Sequence, residues 1–138
     1  MLTMARLEDH RLITGKGKFT ANIKPSKALV VKFLRTPIAR GNILSIDIST
    51  AKTLPGVVCI FTAEDMASDG ITHMLDTSNP ARDDGGTIVK PRRPILNSYE
   101  IKHLGEPVAM VIAETTEQAD DAIEAINFNY NDSDSAFL

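Results

Sequence analysis

Ionisable side chains are plentiful in this chain, but few stand at spacings that do chemistry. The histidines are His10, His73 and His103, and the only cysteine is Cys59. A zinc site needs three or four nitrogen and sulfur ligands at short, recurrent spacings, and no two of these histidines form an i, i+4 pair. No Ser–His–Asp or Cys–His set can be assembled. Glu64, Asp65 and Asp69 form one acidic cluster and Asp83 with Asp84 another. General acid–base work needs a carboxyl raised by burial, and these stand among polar, turn-forming neighbours, so they read as solvated loop charges. The basic run "KPRRP" at 90–94 reads the same way. Gly15-x-Gly17 opens like a phosphate loop, but Thr20 occupies the place of the third glycine, and no Gly-Lys-Ser/Thr follows. Cys59, inside "VVCIF", reads as a small buried hydrophobe.

The densest candidate is Gly105-Glu106-Pro107, at the head of "LGEPVAMVIAETTEQADDAIEAI". Glycine permits a tight approach and proline fixes φ. The tripeptide therefore reads as a turn that aims the following strand, with Glu106 available for a salt bridge to a neighbouring domain. No proton partner stands beside it, which disfavours a catalytic role. Catalytic, cofactor-binding and metal-binding residues are accordingly expected to be none in this chain.

The elements that would hold such a turn follow from periodicity. Residues 108–113, "VAMVIA", form the strongest strand in the chain. Thr115 and Gln118 make a capping box, and Ala119, Ala122, Ile123 and Ile126 then fall on one helical stripe. "INFNYND" closes as a strand. Upstream, residues 28–34 form a strand ending before Pro37. "GNILSIDIST" alternates, with Leu44, Ile46 and Ile48 on one parity and Ile43, Ser45, Asp47 and Ser49 on the other. A helical turn stops at Pro55-Gly56. Residues 57–61 read as a strand buried on both faces, and Thr62 with Asp65 starts a short helix. "SYEIKHL" holds a short strand. Residues 1–27 read as an extended arm, and residues 68–98 as a long loop of the kind that serves binding or an interface.

The bulk composition agrees with a small folded chain. The 138 residues suit one domain, 1–138. Apolar residues at 43% and charged ones at 24% suit a packed core. A net charge of −3, no Trp and 5% aromatic residues argue against a nucleic-acid partner. The single thiol fits a reducing compartment. No apolar run approaches the ~18 residues of a membrane span, and no signal-peptide core stands at the start, so a cytoplasmic location is expected. The expected architecture is α+β, with roughly four to six strands in a small mixed sheet and two or three helices.

Three blocks of sequence resemble the large subunits of molybdenum-containing hydroxylases, the family of xanthine dehydrogenase, aldehyde oxidase and aerobic carbon monoxide dehydrogenase. The first block is Arg6, Glu8-Asp9, Arg11-Leu12, Thr14-Gly15-x-Gly17 and Phe19. The second is Arg35-x-Pro37, Ile43, Ile46-Asp47, Ala51, Leu54-Pro55-Gly56-Val57 and Thr62-Ala63-x-Asp65. The third is Gly105-Glu106-Pro107-Val108-Ala109, Val111, Ala113-Glu114 and Gln118-Ala119. Ile38 and Arg40 stand where the family usually carries a histidine or aromatic residue and a further histidine, and Asn22 where it often carries Asp.

The resemblance implies the family's N-terminal α/β-hammerhead domain, a non-catalytic structural and docking part of an enzyme that oxidises an aldehyde, a purine or carbon monoxide. It implies molybdenum-pterin, iron–sulfur clusters and FAD for the complete enzyme, held outside this chain. The implied partners are the remainder of the large subunit and the iron–sulfur and FAD subunits or domains. The alternative is a free-standing protein-interaction module without redox function. Docking is expected through a partly apolar surface near Met74, Leu75, Ile88, Ile95 and Leu96, through which the chain alone would self-associate. The candidate interface is Gly105, Glu106, Pro107, Ile95 and Leu96.

Overall fold

The computed structural model describes residues 6–23, 25–71, 73–74, 86 and 93–133. In chain order the elements are α1 (Asp9–Ile13), β1 (Val30–Arg35), β2 (Gly41–Asp47), β3 (Val57–Phe61), α2 (Ala63–Ser68), β4 (Glu100–Ile101), β5 (Pro107–Ala113), α3 (Thr116–Glu124) and β6 (Asn127–Asp132). Single 3₁₀ turns lie at Thr20–Asn22 and Ala51–Thr53.

The α+β class is as expected, and the strands divide between two three-stranded sheets, ordered β1-β5-β3 and β4-β2-β6. Every described pairing is antiparallel. β5 is the apolar centre of the first sheet, and α3 lies across it. Ala119 and Ala122 are fully buried against Ala109, Val111, Ala113 and Ile60. Small side chains on both layers let helix and sheet approach closely, so each contact is dense with dispersion partners. A second, smaller cluster of Ile43, Ile101 and Val108 sits between the sheets. Ile46 and Phe128 pack against both clusters and so join the two sheets.

The caps are those the sequence requires. The Thr115 hydroxyl accepts from the Gln118 backbone N–H at 3.3 Å, and the Gln118 side chain accepts from the Thr115 N–H at 3.0 Å. At α2 the Asp65 carboxylate accepts from the Thr62 N–H at 2.7 Å and from its hydroxyl at 2.8 Å.

Several expectations need correction. The parity read for "GNILSIDIST" fails at Leu44, which is 66% exposed, while Ile43 is buried. The β2–β6 register slips between Ile43 and Ser45, so Leu44 is the extra residue of a β-bulge. A bulge inserts one residue and resets the alternation. It lets Ile43 and Ile46, of opposite parity, both reach the interior. β3 is not buried on both faces: it is an edge strand, with Val58 53% exposed and Cys59 half-buried. Its register also slips, between Val57 and Cys59.

The arm is not simply extended. It contains α1, and Leu7, Ile13, Phe19 and Ile23 are exposed along it. The expected loop begins one residue late, because Ser68 ends α2. Most of that loop, Leu75 and Ile88 included, lies outside the described residues.

Candidate functional site

The Gly105 turn is built around one buried polar knot. Thr36, just past β1, is 2% exposed, and Glu106 is 5% exposed. The Thr36 N–H donates to the Glu106 carbonyl at 3.0 Å, and the Gly105 N–H donates to the Thr36 carbonyl at 2.9 Å. The Thr36 hydroxyl accepts from the Glu106 N–H at 3.0 Å and donates to the His103 carbonyl at 3.2 Å. The Glu106 carboxylate accepts from the Lys102 N–H at 3.0 Å, with His103 Nδ1 at 4.0 Å. From outside, Arg35 Nη1 donates to the Gly105 carbonyl at 2.8 Å. Gly105 has φ +79°, the left-handed region where a side chain costs strain, although the space around it is open.

Beside the knot, the segment 93–98 is stitched to the same strand. The Asn97 N–H donates to the Pro107 carbonyl at 2.8 Å. The Asn97 amide donates to the Glu100 carbonyl at 2.6 Å and its Oδ1 accepts from the Tyr99 N–H at 3.0 Å. The Tyr99 carbonyl then receives the Ile43 N–H at 2.7 Å. Among the described residues, no buried side-chain nitrogen or oxygen lacks a partner. The knot is thus a closed set of hydrogen bonds that fixes where β1, β4 and β5 meet.

Two of the expected interface residues are buried within this chain. The Glu106 carboxylate is buried and accepts from the Lys102 N–H. Leu96, expected on an exposed apolar surface, is only 3% exposed. The Asn97 hydrogen bonds pull its neighbour into the interior. Ile95, Gly105 and Pro107 are half-buried, and Met74 is exposed. Thr36 and Asn97 were missed by the sequence reading. The available signal was a polar residue pinned directly before or after an apolar run next to proline.

Three acidic residues serve caps and turns. The backbone N–H of Thr62 holds the Asp65 carboxyl below its ordinary range, and that of Ser49 does the same for Asp47. Glu117 is lowered by its own backbone N–H at the start of α3. All three are pushed away from the raised pKa that a general acid needs at neutral pH. Asp65 also lines a cleft of about 360 Å³ between the bulged part of β2 and the start of α2, with Leu44, Ile46, Lys52 and Ser98 on its walls. Asp83 and Asp84 lie outside the described residues.

The donor set does not fit the redox groups that the resemblance implies for the complete enzyme. Iron–sulfur clusters take about four thiolates, against the single Cys59. Among the described residues no three His, Cys, Asp or Glu side chains converge on one point.

One contact ties two of the resembling blocks together. Gly56 has φ +77°, and a Cβ there would stand 2.1 Å from the Gln118 side-chain amide carbon. The Gly56 carbonyl also receives the Glu114 N–H at 2.9 Å. The turn before β3 and the cap of α3 are therefore packed on each other with no room for a methyl group.

Comparison with known proteins agrees with this arrangement. The family model described as "Aldehyde oxidase and xanthine dehydrogenase, a/b hammerhead domain" matches residues 14–134. The nicotine 6-hydroxylase large subunit of Paenarthrobacter nicotinovorans is 32% identical over 123 residues, which cover 88% of this chain and 14% of that subunit. The carbon monoxide dehydrogenase large chain of Afipia carboxidovorans is 31% identical over 125 residues, covering 91% of this chain and 14% of the other. Among solved structures, quinoline 2-oxidoreductase from Pseudomonas putida 86 superposes with a TM-score of 0.81 at 30% identity, over 96% of this chain and 16% of that one. The chain spans about one-seventh of the length of the curated relatives it matches. The chain belongs to the aldehyde oxidase and xanthine dehydrogenase a/b hammerhead domain family.

Proposed function

We propose that this chain is a non-catalytic docking and framing domain of a molybdenum-pterin hydroxylase or dehydrogenase large subunit. The enzyme would oxidise a small substrate such as an aldehyde, a purine or carbon monoxide. The observation that carries this reading is the coverage: about nine-tenths of this chain aligns with 14% of the nicotine 6-hydroxylase and carbon monoxide dehydrogenase large subunits. The molybdenum-pterin, the iron–sulfur clusters and FAD then belong to the remainder of the large subunit and to partner subunits or domains. When bound there, they supply the oxidation of substrate and the exit of electrons. The residues of this chain hold shape: the Thr36–Glu106 knot, the Gly56–Gln118 contact and the caps keep both sheets rigid beneath a partner surface. No described helix is long and apolar enough to cross a membrane, and a cytoplasmic assembly fits the single thiol.

The test is metal and flavin analysis of the isolated chain beside the assembly purified through it. The assembly is expected to contain molybdenum, iron and flavin and to oxidise substrate, while the isolated chain contains none of the three. Stoichiometric molybdenum or a flavin absorbance band in the isolated chain overturns the reading.

A further inference from the structure

Among the described residues, α3 covers one face of the sheet β1-β5-β3, while the buried clusters reach only part of the other. Successive residues of a strand point to opposite faces. Ala109, Val111 and Ala113 of β5 lie under α3 and are fully buried. On the opposite face, Val108 is covered by Ile43 and Ile101 from the second cluster, and among the described residues that cluster extends no further along the sheet. Beyond it, the register aligns two rows across the three strands, Val31–Ile112–Cys59 and Phe33–Met110–Phe61. None of the six belongs to either buried cluster or packs against one. Val31 is 48% exposed and Phe33 37%. Met110 and Ile112 are only half-buried although they stand on the central strand. At the border, the Arg35 guanidinium lies 5.5 Å from the Phe33 ring centre and sets one charge at the edge of the face.

A contiguous apolar face with a charge at its edge has the composition of a protein interface. A row of apolar side chains across three strands is matched best by another apolar protein surface. The relatives supply the reason for choosing which one. The chain corresponds to 14% of their large subunits, so most of such a polypeptide lies outside it and must be held against it. We propose that the outer face of the sheet β1-β5-β3 is the seat of the large-subunit remainder, with the two rows as its buried centre. This inference rests on the docking reading above and moves the interface from Ile95 and Leu96 to Val31, Phe33 and Met110.

Cys59 stands in one row and is the only cysteine of the chain, so alkylation of its thiol reports on cover. The assembly is purified through a tag on this chain, and the Cys59 peptide is followed by mass spectrometry during iodoacetamide treatment. Alkylation is expected to be at least ten-fold slower in the assembly than in the isolated chain. Phe33→Glu and, independently, Val31→Glu are expected to lower the recovered remainder at least ten-fold, with unchanged circular dichroism of the variant chain. Leu44→Glu, on the other sheet, is expected to leave recovery unchanged. If the remainder is recovered while Cys59 reacts at the free rate and both variants bind normally, the face is wrong and the docking reading stands. If cross-links show a second copy of this chain on Cys59, the occupant is wrong. If no remainder is recovered from the unsubstituted chain, both readings fall.

Discussion

Gly56 carries two constraints at once, a left-handed backbone and a neighbour at contact distance. A side chain in that backbone region costs about 1–2 kcal/mol. The neighbour is the Gln118 amide, which is committed to the Thr115 N–H, so moving it also weakens a cap worth about 1 kcal/mol. Gly56→Ala is expected to destabilise by about 2–3 kcal/mol in urea unfolding. Combining it with Gln118→Ala should cost less than the sum, because the clash and the cap share one side chain; strict additivity sinks the contact. The lowered carboxyls make a second residue-scale prediction. A carboxyl whose pKa falls on folding stabilises the fold above its unfolded value, and that stabilisation is lost as pH drops through the folded value. For Asp65, Asp47 and Glu117 the sign is the same. Stability should hold from pH 7 to about 5 and decline below about 4, the ordinary carboxylate range. Asp65→Asn should make the decline shallower, and an unchanged acid limb in that variant counts against the cap.

At the scale of elements, α3 depends on being thin. Ala119 and Ala122 have no exposure between helix and sheet. Ala122→Leu forces extra volume into that layer and is expected to cost about 1–3 kcal/mol, whereas Glu124→Ala on the outer side should stay within about 0.5 kcal/mol. Thermal unfolding of the pair checks it: equal shifts contradict the helix face. This face was legible in the sequence, because the Thr115–Gln118 box and the Ala119, Ala122, Ile126 stripe are local facts. β5 was legible for the same reason, as an apolar run following a glycine–proline turn. The bulges at Leu44 and Val58 were not, since an extra residue is set by the partner strand, β6 in one case and β5 in the other. The Thr36–Glu106 knot was hidden too. Its members lie 70 residues apart in sequence, and nothing near Glu106 marks the hydroxyl it will meet. Leu96 was misplaced because burial there follows from the Asn97 hydrogen bonds rather than from any periodicity.

For the whole molecule, the unit of stability is the pair of sheets joined through Ile46 and Phe128. Phe128→Ala removes contacts to both clusters at once and is expected to cost about 3 kcal/mol, within the range for truncating a packed phenylalanine. A single cooperative transition should survive in that variant, reported equally by the combined fluorescence of Tyr99 and Tyr130 and by circular dichroism. The strand order has a further consequence, in time rather than in energy. β1 and β3 each pair with β5, and β2 pairs with β6. Val30 must therefore wait for Ala113, and Asp47 for Asn127. During synthesis, the first half of the chain leaves the ribosome with strands that have no mate. Each sheet closes only when the last third arrives. Such non-local pairing slows the search, and refolding from urea is expected on the millisecond-to-second scale of β-rich domains. Nascent chains halted before β5 should stay sensitive to protease along β1 and β3, and protection should come in one step once β6 has cleared the exit tunnel.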